Sequence, residues 1–346
     1  MPKKHTPYLH AVLILILLSI LAAPLSAQVI KMGSLAPEGS PWDRALQRIA
    51  VDWSKLSGGE IRVKIYPGGI AGAEPDMVRK MRINQLQAAA ITGIGLGSIT
   101  ESIYAIQLPL LIRTDAEFDY VIQQMQPTLN ALLEDKGFTM LAWFLAGWAH
   151  FFTKTPMVTP AEMKKLKMQV DDSAPTINQA WKEMGFHIVP VPSTQVLPAL
   201  QSGMIEAFIL TPLTAAATQW FGPAKHMADL QIAPMFGGIL FSQRAWDRID
   251  PDLKPKLIAA VERHLDTLRR ETLELEAEAL RVMLDNGLVI HPVPAAAAAE
   301  WERVVAEGLE IVVGGAVPAE LVEEVRGHLR DFRDETAAPT ASGSNQ

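Results

Sequence analysis

The chain of 346 residues has no cysteine. That absence excludes disulfide bridges, thiol catalysis, cysteine-ligated zinc, iron–sulfur clusters and a cysteine-linked lipid anchor. A basic excess is also missing: 31 lysines and arginines face 38 aspartates and glutamates, for a net charge of −7. Such a surface argues against non-specific binding of polyanions, so nucleic acid is not an expected partner. Catalytic signatures are absent too. The sequence holds no HExxH, no GxSxG, no Walker loop and no EF-hand pattern. Its eight histidines are scattered, none at helical i, i+4 spacing, so neither a metal site nor a cofactor is expected. Gly93-Ile94-Gly95-Leu96-Gly97 resembles a fragment of a nucleotide loop but lacks the spacing and the later acidic residue. Its glycines are better read as letting backbone approach another surface. With no nucleophile–base pair visible, the chain does not read as an enzyme.

Only one long apolar run occurs, Leu9 to Leu21, preceded by Lys3 and Lys4 and followed by Ala22-Ala23-Pro24-Leu25-Ser26-Ala27. Basic start, short greasy middle and small residues at the cut are the order of a secretory signal, assigned to residues 1–27. A retained membrane anchor is the competing reading, but the run is shorter than the roughly 20 residues a spanning helix needs. The mature chain is expected to be soluble and exported. At 49% hydrophobic and 20% charged residues, it is too long for one small core, which points to two domains.

Periodicity supplies the elements. Ser40-Pro41 caps and opens a helix whose apolar residues, from Trp42 to Leu56, recur on one face before Gly58-Gly59 ends it. Ile61 to Ile65 alternates as a strand, and Thr159-Pro160-Ala161-Glu162 forms a capping box. Strands at 166–170, 187–190 and 207–210 alternate with helices near 175–185 and 194–201. This pattern predicts an α/β fold with mainly parallel sheets covered on both faces. Asp171-Asp172 reads as the cap of the helix that follows it. A helical stretch from Asp250-Pro251 to Asn286-Gly287 would span roughly 50 Å, long enough to lie along two lobes. The tail, 335–346, is small and polar and reads as disordered.

Several blocks, taken in order, resemble the solute-binding proteins of TRAP transporters. They are Leu141-Ala142-Trp143 through Gly147, His150-Phe151-Phe152-Thr153, Thr159 to Lys167, Gly185 to Pro192, Leu197 to Gly203 with Glu206, and Gly237 to Trp246 followed by Asp250-Pro251. The resemblance covers roughly residues 29 to 300. It implies a two-lobed periplasmic-binding-protein-like fold with hinge strands and a long helix bridging both lobes. Lobe I would comprise 28–146 plus about 237–275, and lobe II 147–236 plus about 276–334. The implied function is periplasmic capture of a solute by hinge closure and its delivery to TRAP membrane permease subunits.

The resemblance breaks at the anchors. Carboxylate-binding members carry an arginine whose guanidinium forks onto the substrate, where this chain has Gln169. A second arginine would fall at Ala149, an asparagine near Leu210 and an aromatic near Ser193. Burying a carboxylate without a paired cation costs several kcal/mol, so the ligand is expected to be neutral or hydrophobic, such as a lipid, fatty acyl or terpenoid-like compound. Phe144, Trp148, Phe151, Phe208, Leu210, Trp220 and Phe236 are candidate walls of an apolar cleft, although aromatics are more often core than lining. Gln169 and Thr211 are candidate hydrogen-bonding groups, and Glu74 aligns with an acidic cleft residue of the family. Two alternatives stand beside this reading. One is a carboxylate receptor using Arg79, Arg82, Arg113 or Arg244. The other is a lipid carrier or sensor acting with a helical-repeat periplasmic partner.

Overall fold

A computed structural model describes residues 27–172 and 174–337. All but the last residue of the expected signal, and positions 338–346 of the expected disordered tail, lie outside the described residues.

The first lobe begins with β1 (Gln28–Ser34), α1 (Pro41–Leu56), β2 (Ile61–Tyr66), α2 (Glu74–Arg82), β3 (Ala88–Thr92) and α3 (Asp115–Glu134). Ser40 caps α1 as expected, accepting from the Asp43 amide at 3.3 Å, and Gly58 and Gly59 end it at positive φ. β1 lies between β2 and β3, parallel to both. Next comes β4 (Phe138–Thr153), sixteen residues long, and then the second lobe: β5 (Lys167–Val170), α4 (Pro175–Glu183), β6 (His187–Pro190), α5 (Val196–Ser202), β7 (Ala207–Leu210), α6 (Pro212–Ala217) and β8 (His226–Asp229). The Thr159 capping box forms, with Thr159 and Glu162 each bonding the other's amide. The chain returns through β9 (Ala233–Ser242) and α7 (Lys254–Asp285), then β10 (Val289–Pro292), α8 (Ala295–Val312) and α9 (Ala319–Ala337).

The main sheet runs β2-β1-β3-β9-β4-β7-β5-β6, with β8 on β4 and β10 on β8. Pairing is parallel within each lobe's outer part and antiparallel where β9 and β4 join them. β4 pairs β9 from Phe138 to Ala149 and then β7 from His150 to Thr153, so one strand belongs to both lobes. Two register shifts interrupt the β4–β9 ladder, the second between Leu145 and Gly147, and Gly147 sits at φ +117°. Bulges of this kind bend and twist a strand, which is what a crossing strand requires.

α7, 32 residues and about 48 Å long at 1.5 Å per residue, bridges the lobes as expected. Trp53 of α1 donates to the Leu257 carbonyl at 3.0 Å, while Met283 enters the second lobe's core with Phe208 and Leu288. Its first turn begins at Lys254, three residues after Pro251. The end of the chain differs from the expected lobe boundaries. α8 belongs with lobe II, where Trp301 stacks on Phe151 at 4.8 Å. α9 instead packs on α3 in lobe I, with Phe332 against Tyr120 at 5.2 Å and Arg333 bonded to Glu117 at 2.7 Å. The apolar face of Leu321, Val322, Val325 and Leu329 completes the core containing Phe118 and Val121, and that burial draws the last helix back across. α9 also runs through Ala337, so positions 335–337 are helical.

Candidate functional site

The lobes meet where the C-terminal ends of β1 to β3 face those of β5 to β7. A Cβ placed on Gly69 would lie 3.1 Å from the Thr194 side chain, which shows how closely the lips approach. Beside it, a cavity of about 180 Å³, half open to solvent, is lined from both lobes and from the strands that join them. Tyr104 and Gln107 come from lobe I, Ala149 and Met235 from the crossing strands, Ile177 and Trp181 from α4, Ile209 from β7 and Leu309 from α8. No charged side chain lines it. Its chief polar group, the Gln107 amide, has a weak thioether contact from Nε2 to Met235 Sδ at 3.5 Å.

Carboxylates lie between the lobes. Glu74, at the first turn of α2, is 1% exposed. It accepts from the Thr92 amide at 3.0 Å, the Thr92 hydroxyl at 2.8 Å and the Gly95 amide at 2.8 Å. Burial raises its pKa to about 7 against the pull of those donors, and Asp171 of the other lobe pushes the same way. Gly93-Ile94-Gly95-Leu96-Gly97 is a helical turn whose glycines serve close approach: a Cβ at Gly95 would stand 3.0 Å from Glu74, and at Gly97 it would collide with Tyr104.

None of the ten candidate residues from the sequence lines the 180 Å³ cavity. Phe151 is fully buried against Trp301, and Phe208 is stacked on Phe152 at 5.0 Å with Trp220 edge-on at 5.5 Å. Leu210 packs on that same core. Phe236 is buried between Phe118 and Trp143. Phe144 lines a separate groove with Trp42 between α3 and α7, and Trp148 donates to Asp115 at 2.6 Å beside α7. Thr211 caps α6, accepting from the Thr214 amide at 3.2 Å. Gln169 donates across to the Val191 carbonyl at 2.8 Å. Glu74 alone of the ten stands in the seam between the lobes in contact with the charge of the other lobe. The residues that do line the cavity, Gln107, Ile177, Ile209 and Met235, carry no sequence signal beyond being apolar or amide; Ala149 was marked only as the place of a missing arginine.

The four alternative arginines also lie elsewhere. Arg79 pairs with Asp76 in the next turn, Arg82 lies over the Phe138 ring, Arg113 reaches Glu302 at 3.1 Å with both side chains more than half exposed, and Arg244 is exposed. Among the described residues no group of three or more acidic or imidazole side chains could hold a metal ion. No described helix is long and apolar enough to cross a membrane.

Two lobes crossed by shared strands, with a cavity lined from both, have the form of a two-lobed binding protein. The chain matches the family described as bacterial extracellular solute-binding protein, family 7, over residues 32–311, and it belongs to that family, the receptors of TRAP transporters. It is 24% identical over 187 residues to a solute-binding protein of Roseobacter denitrificans, covering 54% of this chain but only 57% of that relative. It is 20% identical over 283 residues to the 2,3-diketo-L-gulonate-binding periplasmic protein YiaO of Escherichia coli, covering 81% and 86%. A TRAP periplasmic solute-binding protein of Xanthobacter autotrophicus, solved with bound β-D-galacturonate, superposes with a TM-score of 0.80 at 18% identity, over 87% of this chain and 99% of that one.

Proposed function

We propose that this chain is a periplasmic receptor that captures a small, neutral, largely apolar solute between its lobes and delivers it to a TRAP-type membrane permease. Two of the similar proteins named above are described with sugar acids, 2,3-diketo-L-gulonate for YiaO and β-D-galacturonate for the Xanthobacter protein, and lend no support to an apolar cargo. The reading rests on this chain's own cleft: the inter-lobe cavity has no charged lining residue, and the charges that act on each other across the lobes, Glu74 and Asp171, are both acidic. An acid held here would be desolvated beside like charge with no guanidinium to pair it, at a cost of several kcal/mol.

Cavity size narrows the expected ligand class. A cavity of about 180 Å³ is little larger than one of about 150 Å³ known to take benzene, and well under the 300–1,000 Å³ of drug-sized pockets. A whole lipid or fatty acyl chain does not fit, which counts equally against a lipid-carrier role. A substituted aromatic ring or similar small compound does. Burying roughly 200 Å² of ring at about 25 cal/mol per Å² yields about 5 kcal/mol before ordering costs, and a hydrogen bond to Gln107 adds about 1. The dissociation constant should therefore be on the order of 10⁻⁴ M for a simple ring probe.

Calorimetric titration tests this with indole, D-galacturonate and succinate. Indole is expected to bind the wild type and to lose binding in Ala149→Phe, which fills the cavity, while neither acid gives heat. Micromolar binding of either acid would overturn the proposed cargo.

A further inference from the structure

The N-cap position of α4, Ala174, makes no side-chain cap bond. Pro175 opens the helix and lacks an N–H, so Thr176 carries the first amide that needs an acceptor. The methyl side chain of Ala174 offers no acceptor. The acceptor comes instead from the other lobe. Glu101, in the single-turn helix Glu101–Ile106 of lobe I, takes the Thr176 amide at 3.2 Å on one oxygen and the Thr176 hydroxyl at 2.8 Å on the other. A carboxylate placed there also meets the positive end of the helix dipole.

We propose that Glu101 is the latch of lobe closure, the positioning residue that seats α4 as a wall of the cavity. Ile177, Ala180 and Trp181 of α4 line that cavity, so seating the helix and closing the chamber are one event. Parting the lobes separates Glu101 from Thr176 and removes the acceptor of both the Thr176 amide and its hydroxyl. Contact between the lobes is thereby favoured before any solute arrives, and part of the closing free energy belongs to the protein rather than to the cargo. Thr176 is suited to the role because it offers two donors to the two oxygens of one carboxylate.

The absence of cysteine permits a direct test in the full mature chain. Ile70→Cys on the lip of lobe I and Met204→Cys on lobe II, 72% and 57% exposed, carry a spin-label pair for pulsed electron paramagnetic resonance with no ligand added. The wild type should show a short-distance population. In E101A its ratio to the open form should fall about tenfold, the scale of losing a charged cap. E101Q keeps one acceptor and should fall between. T176V, which retains the amide bond and spares the carboxylate, should show a smaller loss than E101A, and it carries the test should E101A not fold. Hydrogen exchange of the Thr176 amide should accelerate in E101A alongside the distance change. Unchanged distance distributions in these variants would overturn the latch. Because no ligand enters the measurement, that failure would leave the proposed cargo untouched.

Discussion

Glu74 concentrates the electrostatics of the cleft in one side chain. Its folded pKa of about 7 lies above the usual 4.5, so the folded state holds the proton more tightly than the unfolded state. The stabilisation from the protonated form is complete below about pH 4.5 and is lost as pH rises through 7. Thermal melts of the wild type should show a decline between pH 5 and pH 8 worth up to about 3 kcal/mol. Glu74→Gln should flatten that slope while melting lower at pH 5, because its amide nitrogen would face the Gly95 N–H. An unchanged slope would show that Glu74 does not titrate in this range. Phe208 belongs to the same scale for a different reason. It is fully buried on Phe152, so Phe208→Ala should cost about 3–5 kcal/mol in urea unfolding rather than act selectively on binding. Residue types in a sequence do not show which side of a strand an aromatic takes in a twisted, two-lobed sheet. Six of the seven apolar candidates were therefore legible as apolar but not as core, while Phe144 lines the groove beside Trp42. Gln107 was invisible because a lone glutamine before Leu108-Pro109 carries no pattern, whereas Gln169 stood out only against an expected arginine.

Local elements were the most readable level. The Ser40 and Thr159 caps, the Gly203 helix end at φ +77° and the strand at 207–210 follow from short-range chemistry that the chain states directly. The partner of Thr176 in α4 was not legible because Glu101 lies 75 residues away in the other lobe, and no local rule reaches that far. β4 was likewise underestimated: a strand that changes lobes midway reads as two motifs. Its turning point makes a prediction. Gly147, at φ +117°, would place a Cβ 3.2 Å from Thr211. Gly147→Ala should therefore cost about 1–3 kcal/mol in chemical denaturation, and loss below a few tenths of a kcal/mol would mean the bulge relaxes freely.

Across the whole molecule, the sequence conveyed two lobes and a bridging helix because alternating elements and a 32-residue helix leave few other arrangements. It did not convey that α9 returns to lobe I, since an amphipathic helix does not name its partner face. This fourth crossing follows β4, β9 and α7, and Val312 at the end of α8 is among the lining residues of the cavity. The cavity, the seat of α4 and this return of the chain belong to one packing arrangement. The chamber it makes is small and uncharged, while the carboxylates sit between the lobes beside it.

Shape-matched ligand pairs isolate the one property on which this account turns. Thermal melting of the purified protein with benzyl alcohol against benzoate, and indole against indole-2-carboxylate, varies charge at nearly constant size. The neutral member of each pair should raise the melting temperature and its carboxylate should not. Stabilisation by the carboxylates with none from their neutral partners would contradict the account.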